Sequence, residues 1–238
     1  MLDTLTDMEV ANTIMRTTDD KKSDAGSVSL IDKRFNELGL KELTPLEHDS
    51  KEYRELKDLL IGTSGESHGI RYRLQDIFRI ERPGEADRFK KSEFAKLKDS
   101  NKKLLWHGSR TTNYGGILSQ GLRIAPPEAP ANGYAFGKGV YLADVSSKSA
   151  NYCMASMSGN VGLLMLCEVE LGNPMYEIPN GDFNAEEECK KKKVVATMGV
   201  GQTEPKGWKD AGVVHKDLKG VMMVSSPNGT SREFLLTI

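Results

Sequence analysis

Between Leu104 and Cys153 the chain reads LLWHGSRTTNYGGILSQGLRIAPPEAPANGYAFGKGVYLADVSSKSANYC, gathering His107, seven Gly and several Tyr and Ser into one segment. A packed core has no use for that mixture. A dinucleotide site does: Gly lets backbone approach a phosphate or ring, aromatic faces hold flat bases, and hydroxyls or an imidazole hydrogen-bond ribose. The Rossmann solution to the same problem is absent, because GKGVYL at 137–142 lacks the third Gly of the fingerprint and precedes an apparent strand. Hydride transfer is therefore unsupported. A lone His after an apolar strand is more often structural than chemical. It is the surrounding string HGSRTTN that turns His107 towards chemistry.

In the order of its residues this segment resembles the nucleotide-binding half of a poly(ADP-ribose) polymerase catalytic domain. The diphtheria-toxin-like ADP-ribosyltransferases, which include those polymerases, carry a His, a Tyr and a Glu on separate strands as a signature triad. His107 in LLWHGS and Tyr141 in GKGVYLAD match the first two. The family's third member is a Glu followed by an aromatic and two apolar residues near the C-terminus. SREFLLTI supplies that pattern and makes Glu233 the implied catalytic carboxylate.

The resemblance implies further roles. Gly108, through its backbone, and Ser149, through its hydroxyl, would bind the carboxamide of nicotinamide, with Tyr141 and Tyr152 sandwiching the ring. His107 would bond the adenosine ribose, with Ser109, Asn113 and Arg123 around the rest of that half. Tyr134 falls in the loop PPEAPANGYAFGKG, which in the family covers the dinucleotide, and Lys148 would sit beside the nicotinamide pocket and the acceptor. NAD+ is the implied co-substrate, with no metal. The implied reaction displaces nicotinamide and attaches and elongates ADP-ribose chains on protein acceptors, this chain included. A mono-ADP-ribosyltransferase and a silent NAD-binding module are the rival readings. A nuclear location and a DNA-damage-response role also follow from the resemblance alone.

Several elements must position these residues. Leu2, Leu5, Met8, Ala11, Ile14 and Met15 recur at helical spacing, so residues 1–16 read as an amphipathic helix. The polar stretch 17–27 reads as a linker, and 28–238 as the catalytic domain. Asp49 with Glu52 forms a capping-box signature ahead of a helix that packs Leu56, Leu59 and Leu60 and stops at Gly62. Alternation over 70–80 predicts a long, bulged strand. Short apolar runs at 103–107, 161–171, 220–224 and 233–238 predict buried strands, and the irregular mixture of strands and helices predicts an α+β fold. The resemblance makes its core a mixed, mainly antiparallel sheet. It also implies that the first helix is the last of a regulatory helical subdomain, that activity is indifferent to nicked DNA, and that a final strand is missing, leaving the Glu233 strand at an edge.

Composition narrows the partners. The 33 basic and 34 acidic residues nearly cancel, which argues against direct nucleic-acid binding. Cys153, Cys167 and Cys189 form no CxxC pair and are odd in number, which speaks against a disulfide framework or a zinc site and for a reducing compartment. No apolar run reaches the roughly 18–20 residues of a membrane span, and the acidic start is unlike a signal peptide. The expectation is a soluble intracellular chain without a membrane partner. The run KKKK at 190–193 reads as a solvated loop rather than a localisation signal, beside the acidic surface of Glu186–Glu188.

Overall fold

The computed structural model of the protein describes residues 12–13, 29–65, 68–124, 134–200 and 207–225, with backbone alone at 30–31 and 233–236. Asn12 and Thr13 are helical; the rest of the expected helix over 1–16, and the linker over 17–27, lie outside the described residues.

The Ser29 hydroxyl accepts from the Asp32 N–H at 3.2 Å and opens α1 (Leu30–Glu37). Strand β1 (Glu42–Pro45) follows, then α2 (Lys51–Gly62), whose N-cap is Ser50 rather than the expected Asp49. Ser50 Oγ accepts from the Tyr53 N–H at 3.1 Å, while Glu52 turns aside to an ion pair with Arg79. Cap geometry is satisfied one residue later than the motif suggested because Glu52 has a stronger partner.

The strand expected over 70–80 is a second correction. Only β2 (Phe78–Glu81) forms a ladder, antiparallel to β1 with Leu43 opposite Ile80. Residues 70–77 belong to no ladder, and their polar groups serve other ends: Tyr72 donates to Ser146 Oγ at 3.1 Å and the Gln75 carbonyl accepts from Tyr53 at 3.4 Å. Helix α3 (Glu85–Lys91) closes this N-terminal layer.

The large sheet begins with β3 (Lys102–Gly108), which leads through a 3-10 turn into α4 (Tyr114–Gln120). Then come β4 (Val140–Ala143), α5 (Ser146–Asn151), β5 (Leu164–Glu170) and β6 (Tyr176–Ile178). Three of the four lysines of the run expected as a loop lie in α6 (Ala185–Lys192), where Lys190 pairs with Glu186 at 2.5 Å and Lys191 with Glu188 at 2.7 Å. Charge pairs three and four residues apart favour the helix over the loop. Strands β7 (Ala196–Gly199), β8 (Trp208–Asp210), β9 (Met222–Val224) and β10 (Glu233–Leu236) complete the described residues.

The eight strands β3 to β10 form one mixed sheet in the order β6-β7-β10-β4-β3-β9-β8, with β5 paired to β3. Its pairings are mainly antiparallel; β3 with β9 and β6 with β7 are parallel. The architecture is thus α+β, as the mixture of short runs predicted. Strand β3 sits between two cores. Leu104 and Trp106 pack with Val221, Met223 and Leu59 of α2, whereas Leu105 faces Leu142, Leu171 and Met198. Alternation along one strand thereby anchors both layers.

The Glu233 strand is not at an edge. Strand β10 lies between β4 and β7, antiparallel to both, with Glu233 opposite Ala143 on one side and Gly199 on the other. Both rows of its backbone hydrogen-bonding groups face a partner, which corrects the expectation of an exposed edge.

Candidate active site

The site opens where β3 and β4 part. Strand β5 runs along one edge of β3 from Lys102 to Gly108, so β4 and β9 share the other edge. The β3–β4 ladder consists of a single pair, Trp106 with Ala143. One residue further on, the His107 side chain replaces the missing backbone bond: its Nδ1 donates to the Tyr141 carbonyl at 2.9 Å. A carbonyl can only accept, so this contact fixes the tautomer with the proton on Nδ1 and leaves Nε2 with its lone pair.

A cavity of about 320 Å³ fills the gap. Its lining includes His107, Gly108, Ser109, Asn113 and Arg123 from β3 and the α4 region, Tyr134 and Tyr141 from the approach to β4 and from β4 itself, and Lys148, Ser149 and Tyr152 from α5 and its end. Every residue expected to bind the dinucleotide, the catalytic Glu233 aside, thus borders one cavity. Glu233 enters through register alone: it stands opposite Ala143, which lines the cavity, and Leu235 stands opposite Tyr141. Partners directly across an antiparallel ladder share a face of the sheet, so Glu233 is on the face of Ala143 and Tyr141.

Local bonds hold the aromatic side. The Tyr141 hydroxyl donates to the Gly137 carbonyl at 2.7 Å and accepts from the Phe136 N–H at 3.1 Å. Those bonds pin the ring at its polar end, and Phe136 stacks beside it with centroids 6.5 Å apart and planes inclined by 26°. Tyr134 lies 6.2 Å from Tyr141 between centroids, tilted by 35°. On the opposite side Asn113 Nδ2 donates to Ser109 Oγ at 2.9 Å.

Helix α5 is fastened from both directions. Towards β3, Ser149 Oγ donates to the Trp106 carbonyl at 2.8 Å. The approach is so close that a Cβ on Gly108 would fall 1.8 Å from the Ser149 carbonyl oxygen, so only glycine fits there. Towards α2, Ser146 Oγ donates to the Leu60 carbonyl at 2.8 Å and its N–H to the Thr63 carbonyl at 3.1 Å. Ser147 Oγ accepts from the Gly65 N–H at 2.8 Å and meets His68 Nδ1 at 2.8 Å. Ser146 and Ser147 are fully buried. Six residues of helix therefore carry Lys148 and Ser149 on a scaffold of side-chain hydrogen bonds.

Burial sets the electrostatics. It pushes the His107 imidazole below its ordinary value, the Tyr141 carbonyl opposing only in part, so the ring is neutral at neutral pH. The Cys153 thiol, next to Tyr152, is pushed up by burial and donates to the Leu163 carbonyl at 3.0 Å; it is protonated and unreactive. Among the described residues no three or more His, Cys, Asp or Glu side chains gather as a metal site requires. No described helix is long and apolar enough to cross a membrane.

Sequence reasoning missed the apolar wall of the cavity, Ile117, Leu122, Val140 and Leu142. Gly121 followed by Leu122 just after a short helical run was the available signal for part of it, since a helix-ending glycine redirects the next side chain. Ser146 and Ser147 carried no signal, because their partners lie in α2 and the residues after it.

The model of the poly(ADP-ribose) polymerase catalytic domain family matches residues 50–233. Poly [ADP-ribose] polymerase 2-B of Oryza sativa subsp. japonica is 53% identical over 165 residues, covering 69% of this chain and 26% of that protein. Poly [ADP-ribose] polymerase 2 of Zea mays is 47% identical over 206 residues, covering 86% of this chain and 30% of that protein. Poly [ADP-ribose] polymerase 1 of Gallus gallus is 45% identical over 207 residues, covering 86% of this chain and 19% of that protein. The chain thus spans less than a third of the length of these relatives. A match over most of the chain, at such identity and around a cavity of this lining, shows that it belongs to the poly(ADP-ribose) polymerase catalytic domain family.

Proposed function

We propose that the chain transfers ADP-ribose from NAD+ to protein acceptors and then to the growing ADP-ribose chain. The observation that carries this reading is the convergence of His107, Gly108, Tyr141, Ser149 and Tyr152 on one cavity, with Glu233 in register opposite its wall. In the reaction the bond between ribose C1′ and nicotinamide nitrogen breaks, and its electron pair returns to the pyridinium ring, which leaves neutral. Positive charge develops on the ribose, as in glycoside hydrolysis. An acceptor oxygen then bonds C1′ and surrenders its proton.

Each residue has a task in that sequence. His107 Nε2 accepts a hydrogen bond from an adenosine ribose hydroxyl. Gly108 backbone and Ser149 Oγ hold the carboxamide; Ser149 keeps its bond to Trp106 while its lone pairs accept from the amide N–H, or turns its proton to the amide carbonyl. Tyr141 and Tyr152 stack on the ring. Glu233 bonds the 2′-hydroxyl, offsets the charge on the ribose and takes up the acceptor proton during elongation. Lys148 stands at the acceptor side. NAD+ is the co-substrate, the acceptors are proteins including this chain, and the working location is the nucleus.

Incubation with adenine-labelled NAD+ tests the reading, and a ladder of modified protein is the expected product. A single modified band means transfer without elongation; retention of label without covalent attachment means binding alone. Glu233→Gln is expected to lower elongation by about 10² to 10³ while NAD+ affinity changes little. Elongation at the parent rate in that variant removes Glu233 from the mechanism.

A further inference from the structure

We propose that Arg82, which is no part of the cavity lining, is a positioning residue that holds the α4 wall in place for the adenosine half of the ligand. The proposal rests on the reading of that wall as the adenosine side. Arg82 follows β2, in the N-terminal layer, and its side chain is only 15% exposed. Nη1 donates to the Ile117 carbonyl at 3.0 Å, in the last turn of α4. The other edge of the guanidinium grips Glu85, through Nε at 3.0 Å and through Nη2.

The guanidinium also packs against the backbone where α4 ends. A Cβ on Gly121 would lie 2.3 Å from Arg82 Nη1, and Gly121 has φ of +90°, a conformation that suits glycine. The Ile117 carbonyl accepts from the Gly121 N–H at 2.8 Å as well, so one carbonyl ties the helix end to both the turn and Arg82. Ile117, Gly121, Leu122 and Arg123 all line the cavity.

Helix α4 needs such a clamp. It is seven residues long, YGGILSQ, with two adjacent glycines and no basic residue in its last turn. Helices that short do not persist on their own, and glycine weakens them further. A cation at the carbonyl end compensates the helix dipole and takes the second lone pair of the Ile117 carbonyl, whose first serves the Gly121 N–H. Arginine suits the task because its planar fork presents donors to the carbonyl on one edge and to the carboxylate on another, a fixed span that the compact ammonium of lysine does not reproduce.

Three readouts test the assignment: equilibrium binding of ADP-ribose, binding of nicotinamide, and amide hydrogen exchange over 114–123. In Arg82→Met, ADP-ribose affinity is expected to fall roughly tenfold, nicotinamide affinity to stay within about twofold, and α4 amides to exchange at least about tenfold faster. Arg82→Lys is expected to recover only part of the loss. Glu85→Gln, a milder change should Arg82→Met fold poorly, is expected to show the same ligand split at smaller amplitude. Equal weakening of both ligands, or ADP-ribose affinity at the parent level, overturns the proposal. If the parent protein binds no ADP-ribose, the NAD+ reading itself falls, and unchanged exchange at Ile117–Arg123 in Arg82→Met then refutes the clamp independently.

Discussion

His107 combines two functions in one ring. Its Nδ1 proton bridges to β4 where the ladder stops, and the Nε2 lone pair that the proposed reaction uses is available only while the ring is neutral. Burial keeps it so, and the consequence is a pH dependence of defined sign. In the unfolded chain the imidazole titrates near its ordinary 6.5. In the folded chain it titrates lower, so the stability contributed by the neutral ring is complete above 6.5. That contribution declines as pH falls from 6.5 to the lowered value, and levels off below it. NAD+ affinity is expected to fall as pH passes through the lowered value, whereas His107→Gln, weaker throughout, is expected to lack that step. Titration calorimetry at a series of pH values checks both. Gly108 makes a sharper case. Gly108→Ala places a methyl against the Ser149 carbonyl, a backbone atom that cannot swing aside, and is expected to cost about 1–3 kcal/mol or more. A melting temperature lower by roughly 2–4 °C per kcal/mol, with loss of nicotinamide binding, is the expected result. The residue types of the HGS string were legible because the chemistry selects them. The reason Gly108 must be glycine was not, since it lies in the approach of α5.

At the scale of elements, the same helix explains why serines crowd the site. Ser146, Ser147 and Ser149 are each buried and each bonded to a different neighbour, Leu60, Gly65 and Trp106. Ser147→Ala leaves the Gly65 N–H without its acceptor and is expected to cost about 1–3 kcal/mol. The check is a lower urea midpoint at unchanged slope; a midpoint equal to the parent's would mean that the loop around Gly65 does not depend on Ser147. Elements were legible to the extent that one face decides them. Leu56, Leu59 and Leu60 announced α2, and the apolar runs announced β3, β5, β9 and β10, because burial of a stripe or a short run leaves a periodic mark. The alternation over 70–80 left a similar mark, yet only its last three residues belong to a ladder. Tyr72 is drawn off by Ser146, and alternation records which side chains are covered rather than which backbone groups are paired. The lysine run misled in the other direction. Its composition suggested a loop, while the spacing of Glu186 to Lys190 and Glu188 to Lys191 already carried the helix.

At the scale of the molecule, the order of strands was the part that no local pattern encodes. Strand β10 is the last described strand and yet lies between β4 and β7, which are themselves far apart in sequence. Only pairing across that distance brings Glu233 to the row of Ala143, and no residue within SREFLLTI reports who its neighbours are. The same pairing makes β10 a joint between the half of the sheet bearing Tyr141 and the half bearing β6 and β7. Leu235→Pro probes that joint. Leu235 stands opposite Tyr141 on one side and Thr197 on the other, so proline removes a ladder donor in a strand that has no free edge. The expected cost is about 3 kcal/mol or more, and calorimetry should show the melting temperature lower by roughly 6–12 °C. Because β4 loses its neighbour at Tyr141, which lines the cavity, nicotinamide affinity should fall together with stability. A melting temperature within about 2 °C of the parent would show that the halves hold together without β10, and the placement of Glu233 would then lose its structural basis.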